Sequence, residues 1–402
     1  MPAFPGSSGG RSGSSKGGGY NGGGRGGFGG GGGGGRGFGS GGGSSRGGSS
    51  RGGRSSRGGS KGGRYDNSWG GGRGSSRGGR GGRGGGGGAS TLPTQQAKLT
   101  GHTNTVSCMD VAEGRKQLFT GSSDGMVKLW SWEQSFECVH TVEAGAPVEA
   151  ILVFDEWLFA GTQAVGGRQG VVRVWHMGNG FEQTLEGHQG SIWCLAQGGA
   201  YLFSAGDDMG VKTWQFAESP AGFAPVVELK GHQAPIQVMK TAANILLSAD
   251  RNGAVCLWDL ASGSLTLQIA TEHTNLLMAM WVEESHLFTA ALDGHVKVWS
   301  PTGELLHDHT VTNQHGHPSG VTAMAVVSEP TAGGEEGDQV LLTACDDQAI
   351  KMWRMPTFDK RGILATRIGH SDVVRCLAKG PGHSFFSGAM DKNVLVWEFM
   401  KA

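Results

Sequence analysis

An all-β fold of seven repeated units, preceded by a disordered Gly/Arg-rich tail, is predicted from three features of this sequence. Tryptophan recurs at intervals of 39 to 54 residues along most of the chain. Six of these tryptophans follow a histidine, a hydroxyl residue and an acid or amide in the same order. The first 89 residues, in contrast, contain 45 glycines. A repeat of this length indicates units that stack to share one core.

The N-terminal segment, residues 1–89, differs from the rest in charge as well as in glycine content. It holds 12 Arg and 2 Lys against one acid, Asp66, whereas the remaining residues carry 20 basic and 33 acidic side chains. The net charge of zero therefore conceals a segment of +13 and a body of −13. With almost no aliphatic residues to bury, the segment is predicted to be disordered. Two domains follow: a tail over 1–89 and a globular body over 90–402.

The repeat predicts a buried polar network in six of the seven units. In such a network Asp accepts from His, the His ring meets a Ser or Thr hydroxyl, and that hydroxyl meets the indole N–H of Trp. We call these four residues a tetrad. The predicted tetrads are His102, Thr120, Asp124, Trp130; His188, Ser204, Asp208, Trp214; His232, Ser248, Asn252, Trp258; His273, Thr289, Asp293, Trp299; His317, Thr343, Asp347, Trp353; and His370, Ser387, Asp391, Trp397. The second unit keeps only Trp175, with Ala144, Ala160 and Gln169 at the other positions.

These residues resemble the WD-repeat signature, and the resemblance implies a seven-bladed WD40 β-propeller of four-stranded blades. The chain continues for only five residues after Trp397, which leaves no sequence for an outer strand of the last blade. The strand-like residues 95–100 precede the first unit and belong to none. We expect them to supply that strand and so to close the ring.

The tail carries a second pattern, in which arginine begins an Arg-Gly-Gly triplet at seven positions. These are Arg25, Arg46, Arg51, Arg57, Arg77, Arg80 and Arg83, and the interspersed aromatic residues are Tyr20, Phe28, Phe38, Tyr65 and Trp69. Guanidinium groups pair with phosphates and stack on bases, and aromatic rings stack on unpaired bases. The pattern, an RGG box, predicts binding of single-stranded RNA with low sequence specificity. The alternative is a solubilising or condensing tail without a specific ligand. Such boxes also resemble substrates of an arginine methyltransferase.

Several other classes of protein are not supported by the sequence. The tail matches GxGxxG many times, but it follows no strand and opens no helix, and no P-loop motif occurs. The six cysteines are scattered without a CxxC pair. No stretch is long and apolar enough for a membrane span, and the first residues do not resemble a secretory signal. We therefore expect a non-enzymatic intracellular protein without a cofactor, a bound metal or a membrane partner.

Departures from the repeat indicate where a protein partner could bind. The second unit gains an insertion between its hydroxyl position and Trp175, residues 164–170, and Arg168 within it is a candidate partner-binding residue. The sixth unit carries a longer insertion over 328–338, rich in glycine and acidic residues. A tolerated surface loop is the alternative explanation for both.

A narrower resemblance rests on three phrases of the body. They are Gly380-Pro-Gly-His-Ser-Phe-Phe-Ser-Gly388, Met355-Pro-Thr-Phe-Asp-Lys-Arg-Gly362 and Asp155-Glu-Trp-Leu-Phe-Ala-Gly161. Together they resemble the plant and green-algal WD-repeat proteins that carry CCCH zinc fingers. The resemblance implies a role with RNA, which that family contacts through its finger. This chain has no cysteine before Cys108, so zinc binding does not carry over, and the tail would have to contact RNA instead.

The sequence thus predicts a non-enzymatic RNA-associated scaffold, with RNA on the tail and protein partners on the propeller. We favour the nucleus over the cytoplasm as its location. The alternative is a pure protein-interaction adaptor, such as a ubiquitin-ligase substrate receptor. Such receptors are typified by a Trp-Asp-x-Arg motif at the end of a blade. Of the seven repeat tryptophans, only Trp258 is followed by an aspartate, Asp259, and the next two residues, Leu260 and Ala261, do not complete the motif.

Overall fold

The computed structural model describes residues 92–218, 221–283, 285–331 and 336–400, and these form seven four-stranded antiparallel sheets arranged as a β-propeller. The predicted fold class is confirmed. The predicted tail, with its twelve candidate RNA-binding residues, lies outside the described residues. Within those residues, no helix has the length and apolarity of a membrane span.

The first four blades run from the strand nearest the central channel to the outer strand, in chain order. Blade 1 contains β2 (Val106–Ala112), β3 (Gln117–Ser122), β4 (Met126–Ser131) and β5 (Glu137–Glu143). Blade 2 contains β6 (Val148–Phe154), β7 (Trp157–Thr162), β8 (Val172–His176) and β9 (Glu182–Leu185). Blade 3 contains β10 (Ile192–Gly198), β11 (Tyr201–Gly206), β12 (Gly210–Glu218) and β13 (Ala221–Lys230). Blade 4 contains β14 (Ile236–Ala242), β15 (Ile245–Asp250), β16 (Ala254–Asp259) and β17 (Leu265–Ala270).

The remaining blades repeat this order, except that the last takes its outer strand from the start of the described chain. Blade 5 contains β18 (Leu277–Glu283), β19 (His286–Ala291), β20 (His295–Trp299) and β21 (Leu305–Thr310). Blade 6 contains β22 (Val321–Pro330), β23 (Glu336–Cys345), β24 (Ile350–Arg354) and β25 (Asp359–Leu364). Blade 7 contains β26 (Val374–Lys379), β27 (Ser384–Ala389), β28 (Val394–Glu398) and β1 (Thr94–Leu99).

The strand β1 joins the two ends of the propeller. It pairs antiparallel with β28, with Leu99 opposite Val394 and Thr94 opposite Glu398. Leu99 is also buried in a core cluster that contains residues of blades 7 and 1. Backbone pairing and apolar packing therefore act on the same seam, and β28 is paired on both sides like the third strand of every other blade.

The core lies between neighbouring blades, where the faces of adjacent sheets pack together. Close approach requires a small residue after the tetrad hydroxyl on the second strand of each blade. At Gly121, a Cβ atom would lie 2.6 Å from Val148 Cγ1 of the next blade, and at Gly388 it would lie 2.7 Å from Val106 Cγ1. The contact at Gly388 crosses the seam, so the same packing rule holds around the whole ring.

Candidate protein-interaction surface

Tetrads fasten the loops at one end of the propeller in blades 1, 3, 5 and 7. In blade 7, Trp397 Nε1 donates to Ser387 Oγ at 2.8 Å, and His370 Nε2 lies 2.8 Å from the same oxygen. His370 Nδ1 is 3.0 Å from Asp391 Oδ2. The other three tetrads with the predicted membership are His102, Thr120, Asp124, Trp130; His188, Ser204, Asp208, Trp214; and His273, Thr289, Asp293, Trp299.

The direction of these hydrogen bonds follows from the chemistry of each group. An indole N–H can only donate, so the hydroxyl oxygen accepts it while lying within hydrogen-bonding distance of His Nε2. A carboxylate can only accept, so the His Nδ1–H donates to it. Burial alone would raise the pKa of Asp391. His370 and the backbone amides of Ser371 and Asn393 outweigh that effect and hold the pKa at about 2. The chain of hydrogen bonds therefore ends on an ionised acid.

The fourth blade uses a different acid from the predicted one. His232 Nδ1 lies 2.9 Å from Asp250 Oδ2, and Ser248 and Trp258 complete the network at 2.7 and 2.8 Å. Asp250 ends β15 and is buried, whereas Asn252 is exposed in the following turn. The assignment of Asn252 was wrong, because the carboxylate of Asp250 at the end of the strand accepts from the histidine in its place. The backbone N–H of Asn252 instead donates to Asp250 Oδ1 at 3.0 Å.

The sixth blade replaces the predicted histidine by a lysine. His317 is exposed, because residues 313–317 form a turn closed by Asn313 N and His317 O at 2.8 Å. Lys351 Nζ contacts Asp347 Oδ2 at 2.7 Å, and its side chain is only 2% exposed. Thr343 still accepts the indole N–H of Trp353 at 3.0 Å. The prediction of His317 was wrong, and the cation of Lys351 holds the acid that His holds elsewhere.

The second blade lacks a tetrad and contains a large cleft instead. The insertion forms a tight hairpin in which Val165 and Arg168 exchange two backbone hydrogen bonds of 3.1 Å across Gly166 and Gly167. Arg168 is exposed beside a cleft of about 890 Å³ that reaches the loops on both sides of blade 2. Arg173 lines the same cleft and donates to Thr184 Oγ1 at 2.8 Å. Arg168 therefore has the accessibility that a contact residue needs, and its role stays a prediction.

A ring of seven residues surrounds one end of the central channel. In every blade, the pairing of the first two strands shifts register by one residue directly after the first buried apolar residue. Such a β-bulge re-aims the extra side chain. The extra residues, here called the mouth ring, are Ser107, Glu149, Trp193, Gln237, Met278, Thr322 and Arg375. All seven line one cavity of about 190 Å³, here called the channel pocket.

Two members of the mouth ring face the neighbouring blade and serve the fold. The buried hydroxyl of Ser107 donates to the carbonyl of Val148, the first residue of β6. The buried hydroxyl of Thr322 donates in the same way to the carbonyl of Val374, the first residue of β26. These bonds tie blade 1 to blade 2 and blade 6 to blade 7. Trp193 and Gln237 of the ring bond instead to side chains of their own blades.

Blades 3 and 4 build a rigid aromatic and charged cluster at the mouth. Trp193 Nε1 donates to Asp207 Oδ1 at 2.6 Å. The guanidinium of Arg251 lies 4.7 Å from the centre of the Trp193 ring, and its Nε donates to Gln237 Oε1 at 3.0 Å. Arg251 Nη1 is also 3.8 Å from Asp207 Oδ1. The indole is thus held at its N–H and on one face while it remains half-buried.

Blades 5 and 7 add exposed apolar residues to the mouth. Blade 5 contributes Met278 to the ring, and Leu276 in the preceding loop is 41% exposed. Blade 7 contributes Met390, which is 43% exposed in the turn before Asp391. Flexible thioethers adapt to partners of varied shape. The mouth therefore combines a fixed aromatic anchor with an adaptable apolar border, an arrangement typical of surfaces that bind proteins.

The mouth ring does not follow from the repeat pattern, because its seven residues differ in kind from blade to blade. Their position was nevertheless available. Each directly follows the apolar residue that begins the first strand, and in blade 1 that residue, Val106, lies four places after His102. Among the described residues, no group of three or more His, Cys, Asp or Glu side chains could hold a metal ion.

Comparison with known proteins agrees with this architecture. The WD domain, G-beta repeat model matches residues 93–131, 180–215 and 362–398. The rice Zinc finger CCCH domain-containing protein 17 is 28% identical over 309 residues, which cover 76% of this chain and 66% of the relative. The Arabidopsis thaliana Zinc finger CCCH domain-containing protein 48 is 28% identical over 304 residues, 75% of this chain and 66% of the relative. The mouse Telomerase protein component 1 is 27% identical over 54% of this chain and 8% of its own length.

These matches confirm the resemblance predicted from the sequence. The propeller carries WD40 repeats and is homologous to the plant CCCH zinc-finger WD-repeat proteins. The chain spans about two thirds of the length of those curated relatives.

Proposed function

We propose that this chain, whose propeller carries WD40 repeats, is a non-enzymatic RNA-associated scaffold that recruits protein partners at the channel mouth. A WD40 propeller is typically a protein-interaction scaffold without catalytic activity. The observation that supports the mouth as the contact surface is the mouth ring. A bulge at the same place in each blade presents seven side chains together, and their identities are not dictated by the repeat.

Trp193 is the proposed anchor of the interface. Aromatic residues contribute a large share of binding free energy when they lose little rotational freedom on binding. The contacts of Trp193 with Asp207 and Arg251 hold the ring before any partner arrives. A partner therefore does not have to order this side chain, and loss of the indole should weaken binding strongly.

RNA association is proposed from the tail alone. Its seven Arg-Gly-Gly triplets and five interspersed aromatic residues combine phosphate pairing with base stacking. The plant relatives are named for CCCH zinc fingers, whereas this chain has no cysteine before Cys108. We propose that the tail contacts RNA by charge and stacking, in the nucleus or the cytoplasm, and that an arginine methyltransferase modifies it.

The test of the protein-binding role compares two exposed apolar residues at different places. Met390→Ala alters the mouth, whereas Leu306→Ala alters β21 on the outer edge of blade 5, and the two side chains are similarly exposed, at 43% and 52%. The full chain is cross-linked to its partners in cells, and nuclease treatment then removes proteins that are held only through RNA. The partners that remain should no longer be captured by the variants Met390→Ala and Trp193→Ala. Equal loss with Leu306→Ala would reject the mouth as the interface.

The test of the RNA role uses the full chain and a variant with the seven triplet arginines changed to glutamine, each at low and high salt. Binding to a single-stranded RNA should fall with salt in the full chain and weaken strongly in the variant, whose tail keeps only five Arg and two Lys. Undiminished binding by the variant would exclude the triplet arginines as the RNA contact. If neither protein binds RNA while the nuclease-resistant partners remain, the pure adaptor is the correct function.

A further inference from the structure

The channel pocket contains two cations whose hydrogen-bonding capacity is unused among the residues that the structure describes. Arg375 of the mouth ring and Lys240 below it both line the pocket. Neither forms an ion pair or a side-chain hydrogen bond with another described residue. A guanidinium offers five N–H donors and an ammonium three. The pocket is therefore rich in donors without acceptors.

The acids near these cations are satisfied by other groups. Glu149 Oε1 accepts from Gln163 Nε2 at 2.7 Å. Asp110 Oδ2 accepts the backbone N–H of Val153 at 2.7 Å, and its Oδ1 accepts that of Val111 at 2.9 Å. Arg375 acts on Glu149, and Lys240 on Asp110, only through the longer-range electrostatic attraction. The charges thus balance in number, but the acids have donors and the cations have no acceptors.

The surroundings of Lys240 leave room for a counter-ion. Its ammonium is 5.8 Å from the ring centre of Trp281, and its side chain is an exposed residue of the pocket lining. The protein around it lowers the pKa of Lys240 by desolvation, despite the attraction of Asp110. A bound anion would supply acceptors and favour the charged ammonium.

We propose that the channel pocket binds an anionic side chain of the protein partner, a carboxylate or a phosphorylated serine, with Arg375 and Lys240 as its donors. This inference rests on the proposed function, because it identifies the group that enters the channel when a partner covers the mouth. The pocket volume of about 190 Å³ accepts one such group and not a folded element. Trp193 and Met278 border the pocket and would contact the apolar part of the same side chain.

A protein ligand is favoured over RNA by the shape and charge of the mouth. Asp207, which holds the indole of Trp193, lies outside the pocket lining, at the edge of the mouth. Its carboxylate would repel the phosphates that flank any nucleotide in a continuous strand. A peptide can place one negative charge in the pocket and neutral residues around it.

The experiment measures binding of the full chain to immobilised seven-residue degenerate peptides with a fixed central residue. The central residue is Glu, phosphoserine, Gln or Ser, so that each anion has a neutral control of similar shape. We expect Glu or phosphoserine peptides to bind at least about tenfold more tightly than the neutral ones, since charged hydrogen bonds add this much. The tighter of the two anions identifies the source of the charge.

Substitutions then assign the donors. Arg375→Gln and Lys240→Met should each remove the preference for the anion while the melting temperature stays unchanged. The matched controls are Arg115→Gln, in the turn at the opposite end of blade 1, and Lys98→Met, exposed on β1. Equal binding of charged and neutral peptides, or equal effects of Arg375→Gln and Arg115→Gln, would overturn the inference. So would competition by oligouridylate that persists after the seven tail arginines are changed to glutamine.

Failure of this inference and failure of the proposed function give different results. If partners still depend on Trp193 but no peptide shows a preference for charge, the mouth is the interface and the pocket is not an anion site. If no partner depends on Trp193 or Met390, the proposed interface itself is wrong.

Discussion

The replacement of His317 by Lys351 in the sixth blade can be tested by comparing two histidine substitutions. His188→Ala removes a buried ring whose Nε2 is 2.7 Å from Ser204 Oγ and whose Nδ1 is 2.8 Å from Asp208 Oδ2. The substitution removes one neutral and one charge-assisted hydrogen bond and leaves a cavity. Together these losses should lower the free energy of unfolding by about 3 to 5 kcal/mol. His317→Ala alters an exposed side chain and should change the free energy of unfolding by less than about 0.5 kcal/mol.

The assay measures the melting temperature of the full chain by circular dichroism. For a domain of this size, 1 kcal/mol corresponds to about 2 °C. His188→Ala should therefore lower the melting temperature by about 6 to 10 °C, and His317→Ala by no more than about 1 °C. Lys351→Met keeps the apolar stem but leaves Asp347 without its cation. Because Asp347 is 27% exposed, water offsets part of the loss, and we expect a decrease of about 2 to 3 kcal/mol.

Two outcomes would refute this reasoning. A decrease for His317→Ala as large as that for His188→Ala would mean that His317 enters the sixth network in solution. An unchanged melting temperature for Lys351→Met would mean that the ion pair contributes nothing to that turn. The double substitution Lys351→Met with Asp347→Asn separates pairing from burial, because it should be less destabilised than the sum of the single changes.

Three further predictions concern the fourth blade, acid and the mouth. In a thermal melt, Asp250→Asn should lower the free energy of unfolding by about 2 kcal/mol or more, and Asn252→Ala by less than about 0.5 kcal/mol. A larger loss for Asn252→Ala than for Asp250→Asn would mean that Asn252 belongs to the network. The folded-state pKa of Asp293 and Asp391 is about 2, below the ordinary aspartate value of 3.8. Their stabilisation is therefore complete above pH 3.8 and declines as the pH falls towards 2. Melting temperatures that stay constant over that interval would contradict it. In a binding assay with the full chain, Trp193→Ala should weaken partner binding at least about tenfold.

The blade count was predictable because the buried tryptophan recurs at a fixed place in every unit. Each of the seven lies on the third strand of its blade, where its ring packs between sheets. Even the second blade, which has lost its polar network, keeps Trp175. The period of the repeat could therefore be predicted from this tryptophan, which packing between the sheets requires in all seven blades.

The tetrads were less predictable, because a hydrogen-bond network can be completed from more than one sequence position. Asp250 lies two residues before Asn252 and reaches the same histidine from the end of a strand. Lys351 lies after its acid in the chain, whereas the tetrad histidines lie before theirs. Spacing predicts where a network should be, but side-chain length decides which residue enters it.

Partner recognition should be sought at the positions that the fold leaves free. The tetrads and the small residues of the second strands are constrained by the network and by the close approach of the next blade. Within the mouth ring, Ser107 and Thr322 are also committed, since their hydroxyls hold neighbouring blades together. The other five face the channel with different chemistry and can vary without disturbing that network. Because those five combine an aromatic anchor, a thioether, an amide, an acid and an unpaired guanidinium, the surface selects by chemistry, and selection for one charged side chain in the pocket follows from the same geometry.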